Sequence, residues 1–175
     1  MNRPKWATVV GIMGIIFGIL GILGGGQLIM MPKMMEMQRE MFLSVKESIE
    51  NQEVTNPQQI FPKKMFETMK KMLDTPDWFD TYCIIAGIVA FFVSGFYVFA
   101  SIQLLQTKPT AIKIFYSAVS LTIGFSILKS IVAMVAMSFM GMAMMMGGTF
   151  GIVINVVLLI VVATGNKEAF ILQEA

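Results

Sequence analysis

A single charged residue, Lys129, interrupts the apolar sequence between Ile114 and Thr164. A second long apolar run extends from Ala7 to Met31. About 20 apolar residues suffice to cross the ~30 Å hydrocarbon core of a bilayer as a helix. Only 14% of all residues are charged, whereas a soluble globular domain carries about 25%. The sequence therefore predicts an integral membrane protein.

The lengths of the apolar runs predict an all-α fold with four transmembrane helices. In lipid, a helix satisfies all of its backbone hydrogen bonds within one segment, so each run can cross on its own. The chain is expected to form one membrane domain, residues 1–175. Its predicted elements are the spans 7–31, 79–106, 110–139 and 148–164, and a C-terminal tail, 165–175.

Helix-breaking residues set the predicted boundaries. Pro32 and Lys33 are expected to end the first span, and Gly147 and Gly148 to form the reversal between the third and fourth. The alternative is a three-span arrangement, in which the methionine-rich segment before Gly147 is a re-entrant or surface helix.

The positions of the basic residues predict the orientation. They occupy three short flanks, before the first span, between the second and third, and after the fourth: Arg3, Lys5, Lys108, Lys113 and Lys167. Short cytoplasmic flanks are enriched in Lys and Arg. We therefore expect a bacterial inner (plasma) membrane protein with both termini cytoplasmic and residues 33–80 outside.

Residues 33–80 carry most of the charge, with seven Lys/Arg and nine Asp/Glu. Apolar residues at helical spacing predict two amphipathic helices there, at about 33–50 and 62–73. The polar segment 51–57 separates them. We expect an amphipathic helical hairpin outside the membrane, between the first and second spans.

Five glycines in the first span recur at alternating spacings of three and four residues, which places them on one helix face: Gly11, Gly14, Gly18, Gly21 and Gly25. Small residues let helix backbones approach closely in lipid. We call these residues the glycine seam and predict that it packs against a helix. That helix is either span two of the same chain, through Ala86, Ala90 and Ser94, or a copy of span one in a homo-oligomer.

Methionine is unusually abundant, at 18 residues. One cluster lies between Met30 and Met41. The other contains Met137, Met140, Met142, Met144, Met145 and Met146. Thioether sulfur is a soft ligand that suits Cu(I), and methionine is also a flexible packing residue. The second cluster is thus a candidate soft-metal site, with apolar packing as the alternative.

Two polar residues of the last two spans, Lys129 and Asn155, are candidates for a role inside the membrane. Lys129 is a candidate for an intramembrane role, but it lies near the predicted end of its span and could instead reach the headgroups. Asn155 could share that role or hydrogen-bond between helices.

The remaining composition argues against catalysis. The chain has no histidine and one cysteine, Cys83, so the commonest general base and metal ligand is missing. No cofactor motif or nucleic-acid surface is recognisable. We expect a non-enzymatic membrane scaffold or accessory subunit that self-associates, or joins a larger membrane complex, through the glycine seam. The alternative is an oligomeric channel or transporter, with methionine-mediated Cu(I) handling as one form.

Overall fold

The computed structural model describes residues 4–50, 76–136, 139–166 and 170. Across these residues the regular elements are four helices: α1 (Lys5–Glu50), α2 (Asp77–Leu105), α3 (Ala111–Ala136) and α4 (Phe139–Thr164). Three of them, α1, α2 and α3, contain stretches long and apolar enough to cross a membrane, while the apolar stretch in α4, Gly148–Thr164, is shorter. The prediction of an all-α fold is therefore confirmed for the described residues, and the three long apolar helices are consistent with a membrane protein.

The first helix continues through Pro32 to Glu50, so the prediction that Pro32 ends it is wrong. A proline inside a helix costs about 3 kcal/mol relative to alanine. Packing beyond the proline offsets this cost, because Met35 is buried with Phe79 and Cys83 of α2. With 46 residues, α1 is about 69 Å long at 1.5 Å per residue.

The predicted extramembrane hairpin, residues 33–80, is only partly within the described residues. Its first helix, 33–50, forms as the continuation of α1. Its second helix, 62–73, and the linker before it lie outside the described residues.

The prediction of a reversal at Gly147 and Gly148 is also wrong. Both residues lie inside α4, which already begins at Phe139. The α3 helix ends at Ala136, three residues earlier than predicted. A glycine inside a helix costs only about 1 kcal/mol, which is less than the cost of unpaired backbone groups in an apolar environment.

Consecutive helices pack in an antiparallel arrangement. The most extensive interface joins α1 to α2, α3 packs against both α2 and α4, and α4 also touches α1. The largest group of buried side chains lies near the chain termini and is called the terminal core: Ala7, Val10, Tyr97, Ala100, Leu104, Ala111, Phe115, Ala118, Val119, Leu158, Val162 and Phe170.

Aromatic contacts close the terminal end of the bundle. The Trp6 ring stacks on Phe170 with 5.6 Å between centroids. The Trp6 indole N–H donates a 3.1 Å hydrogen bond to the carbonyl of Asn166. These contacts fix the start of α1 beside the end of α4.

A tight turn joins α2 to α3 at the same end of the bundle. Thr107 adopts a left-handed conformation, with φ of 52°. Its N–H donates to the Leu104 carbonyl at 3.1 Å, and the Lys108 N–H donates to the Gln103 carbonyl at 3.4 Å. This pair of bonds is the Schellman pattern that satisfies the last carbonyls of a helix. The helices α2 and α3 are therefore joined directly by a short hydrogen-bonded turn.

Candidate functional site

The glycine seam faces α2 of the same chain. At the terminal end, Gly11 lies against Leu105 and Gly14 against Ser101. The next two, Gly18 and Gly21, lie against Val98 and Ser94, and Gly25 against Ala90. The seam therefore packs within the same chain along its whole length. This matches the alternative in which it packs against span two, and Ala90 and Ser94 are among the contacts as predicted.

The closest backbone approach occurs where the seam meets Gly87. A Cβ atom added at Gly25 would lie 3.1 Å from both the Ala90 Cβ and the Gly87 carbonyl oxygen. A Cβ added at Gly87 would lie 2.8 Å from the Gly25 carbonyl oxygen. Neither position accepts a side chain without movement of backbone. Pairing between copies of α1 through this face would require α2 to move away.

A cavity of about 500 Å³ lies between the four helices, on the side of the terminal core away from the termini. We call it the central cavity. Glycines form much of its wall, since Gly18, Gly21, Gly24 and Gly25 of α1 and Gly148 and Gly151 of α4 all line it. Its polar lining residues come from all four helices: Gln27, Ser94, Tyr97, Thr122, Ser126, Lys129 and Asn155. The structure thus brings Lys129 and Asn155, the two polar candidates from the sequence, to one site.

Lys129 points along α3 towards the middle of the bundle. Its Nζ lies 4.9 Å from the ring centroid of Phe125, one helical turn closer to the start of α3. Long helical side chains usually lean in this direction, and an ammonium over an aromatic face is attracted by the ring quadrupole. A lysine that reached for the nearer end of α3 would lean the opposite way. Of the described residues that line the central cavity, Lys129 is the only charged one.

Asn155 is fixed by two hydrogen bonds. Its Oδ1 accepts a 2.8 Å bond from the Tyr97 hydroxyl of α2, and its Nδ2 donates a 2.8 Å bond to the Gly151 carbonyl. The residue is buried, with 6% of its surface exposed. Asn155 therefore joins α4 to α2 while it borders the central cavity.

The two methionine clusters differ in how much of each lies within the described residues. Met137 lies outside the described residues, and for Met140, Met142, Met144, Met145 and Met146 the description is confined to the helical backbone. The candidate soft-metal site on these residues stays a prediction. In the first cluster, Met31 and Met35 belong to the buried group that contains Cys83 and Phe79, while Met30, Met34, Met37 and Met41 are exposed.

The arrangement around Lys129 suits binding better than catalysis. The described lining residues offer one cation together with hydroxyl and amide groups, which can hold a negatively charged group and orient it. Within the described residues, no three His, Cys, Asp or Glu side chains come together as metal ligands. The sequence identified Lys129 and Asn155, but it gave no signal for Tyr97, whose partner lies 58 residues away.

No protein-family model matches the chain, and neither the curated proteins nor the solved structures compared with it gave a significant match.

Proposed function

We propose that this chain is a non-enzymatic, four-span membrane protein that binds the anionic group of a ligand in the central cavity. The single observation that carries the proposal is the position of Lys129, which lines a cavity between apolar helices together with six uncharged polar residues. In this proposal α4 is the fourth span, both chain termini are cytoplasmic, and the C-terminal end of α1 lies outside.

The electrostatics of the cavity favour an anion. Removing an ammonium group from water costs several kcal/mol unless an opposite charge or hydrogen bonds compensate. The described cavity wall contains no carboxylate, and the Phe125 ring offers only about 0.5–2 kcal/mol. A bound carboxylate or phosphate group would supply the missing negative charge, with Ser94 and Ser126 as hydrogen-bonding groups nearby.

The ligand's negative group could belong to a lipid headgroup or to a small solute, and the experiment separates these sources. Purified protein in nanodiscs is analysed by native mass spectrometry with phosphatidylglycerol and with phosphatidylcholine. In parallel, its thermal stability is measured with inorganic phosphate. We expect retention of phosphatidylglycerol, stabilisation by phosphate, or both, and at least a tenfold loss in Lys129→Gln, since a charge-assisted contact contributes about 1.5–3 kcal/mol.

The matched control is Lys113→Gln, which removes a lysine from an exposed position near the start of the same helix. This variant should behave as the wild type does. Equal binding by both variants, or no anion binding by the wild-type protein, would show that the proposal is wrong.

An accessory-subunit role is the second candidate, supported by the exposed methionines on α1 beyond Pro32. Met34, Met37 and Met41 are 52%, 62% and 66% exposed, and methionine provides adaptable contact surfaces between proteins. We propose that this face contacts a partner subunit or a second copy of the chain. The particle mass of the wild type and of a Met34→Glu, Met37→Glu, Met41→Glu variant tests it. A monomeric wild type without co-purifying subunits would contradict it.

A further inference from the structure

The only cysteine of the chain lies against one methionine of α1 and shares a buried cluster with a second. The Cys83 Sγ is 3.8 Å from the Met31 Sδ. Met35 packs into the same group of side chains. Cys83 is fully buried and Met35 is 6% exposed. We call Cys83, Met31 and Met35 the sulfur cluster.

The separation of the two sulfur atoms fits ligands that share one metal ion. If each sulfur lies about 2.3 Å from the ion, at the angle of a trigonal or tetrahedral site, the sulfurs are about 3.8–4.0 Å apart. A metal ion could therefore enter between Cys83 and Met31 with little change in the distance between them. A third sulfur ligand from Met35, one helical turn beyond Met31 on the same face of α1, would complete a trigonal set.

The chemistry of these ligands selects a soft, singly charged ion. Thiolate and thioether ligands favour Cu(I) over hard divalent ions. On binding, the Cys83 thiol releases its proton to water, a Cu–S bond forms, and the thiolate and Cu(I) charges cancel. No electron is transferred. A neutral centre of this kind avoids the cost of burying a net charge between α1 and α2.

A second cavity, also of about 500 Å³, borders the sulfur cluster on the Met35 side. Met35 forms part of its wall. Glu36 and Asp80 line it as well, and their negative charges are balanced by two basic residues. The remaining lining residues, which include two basic side chains, are Ile29, Pro32, Lys33, Arg39 and Ile84. We call this space the side cavity.

We propose that the sulfur cluster, Cys83 with Met31 and Met35, is a binding site for Cu(I), bordered by the side cavity. The proposal is independent of the central cavity and of the ligand proposed there. It also differs from the methionine run after Ala136, because it includes a thiol that can become an anionic ligand.

The test is a competition titration of the full-length protein with Cu(I) against a chromogenic Cu(I) chelator, in detergent under reducing and anaerobic conditions. The wild type should bind one equivalent with sub-micromolar affinity. Its ultraviolet spectrum should show thiolate-to-Cu(I) charge transfer, and X-ray absorption should show sulfur ligands alone. Cys83→Ala should abolish the charge-transfer band. Met31→Leu and Met35→Leu, which conserve volume, should each weaken binding at least tenfold.

Two controls separate the sulfur cluster from other methionines. A Met30→Leu, Met34→Leu variant removes exposed thioethers of the same helix and should bind Cu(I) as the wild type does. A Met142→Leu, Met144→Leu, Met146→Leu variant removes thioethers of the other cluster and should also bind normally. Loss of binding in this last variant alone, or wild-type binding in Cys83→Ala and Met31→Leu, would overturn the proposal. Absence of Cu(I) binding by the wild type would overturn it as well.

Discussion

The Tyr97 hydroxyl donates a 2.8 Å hydrogen bond to Oδ1 of Asn155, joining α2 to α4 across the bundle. Both side chains are buried, and both border the central cavity. The bond lies between the terminal core, to which Tyr97 also belongs, and the open space that contains Lys129. It therefore connects the tightly packed part of the bundle to the part that could accept a ligand.

Removing this hydrogen bond should destabilise the protein measurably. Tyr97→Phe leaves the Asn155 Oδ1 without its partner, and interhelical hydrogen bonds in membrane proteins contribute about 0.6–1.7 kcal/mol. We expect a loss in this range in reversible unfolding by sodium dodecyl sulfate. Tyr116→Phe, which alters a half-buried tyrosine of α3, serves as the control. An equal loss in both variants would mean that the Tyr97 bond has no special role.

Adjacent glycines of α1 should respond oppositely to alanine. A Cβ at Gly25 meets Ala90 and Gly87 of α2, whereas a Cβ at Gly24 has no atom within 4 Å. Gly24→Ala should be neutral or stabilising by up to about 1 kcal/mol, the helix-propensity difference. Gly25→Ala should lower stability by about 1–3 kcal/mol through overpacking. Thermal unfolding in detergent measures both.

The same glycine seam distinguishes packing within the chain from assembly. Replacing Gly14, Gly18 and Gly21 with Leu should disrupt the α1–α2 interface and lower thermal stability strongly. If copies of α1 met through this face instead, the particle mass in nanodiscs would fall without that loss. Multi-angle light scattering alongside the unfolding measurement decides between the two.

Filling the central cavity should block ligand binding without harming the fold. Gly151 lines the cavity, and a Cβ there has no atom within 4 Å. Gly151→Leu should therefore reduce anion binding at least tenfold while the unfolding temperature stays within a few degrees. Gly95→Leu places the same side chain on an exposed, equally open position of α2 and should leave binding unchanged. Normal binding by Gly151→Leu would place the ligand elsewhere.

Labelling of single cysteines tests the proposed topology. In a Cys83→Ser background, Lys5→Cys, Lys108→Cys and Met41→Cys are each exposed at a helix end or beyond the spans. In intact cells, a membrane-impermeant maleimide should label Met41→Cys alone, and the other two should react only after lysis. Labelling of Lys108→Cys in intact cells would contradict the proposed orientation.

The sequence predicted the class of fold well because apolar length and helical structure are tightly linked in lipid. It failed where local helix breakers competed with longer-range packing. Pro32 is tolerated because α1 continues to pack on α2 at Met35, and Gly147 and Gly148 lie within α4. Residue propensities are weak compared with such tertiary contacts.

The candidate site was predicted only in part. Lys129 and Asn155 were recognisable because polar residues are rare in apolar spans. The contact between Cys83 and Met31 joins residues 52 positions apart. This contact depends on how α1 and α2 are aligned along the glycine seam. That alignment cannot be read from a single sequence.

The unbroken length of α1 has a mechanical consequence. Trp6 ties one end of this helix to Phe170 and Asn166, and the other end extends about 27 Å beyond Pro32, at 1.5 Å per residue. Because this helix is unbroken, its backbone hydrogen bonds connect the segment beyond Pro32 to the segment that packs on α2. A force applied near Glu50 would therefore be transmitted along the glycine seam to the contacts of Trp6 with Phe170 and Asn166.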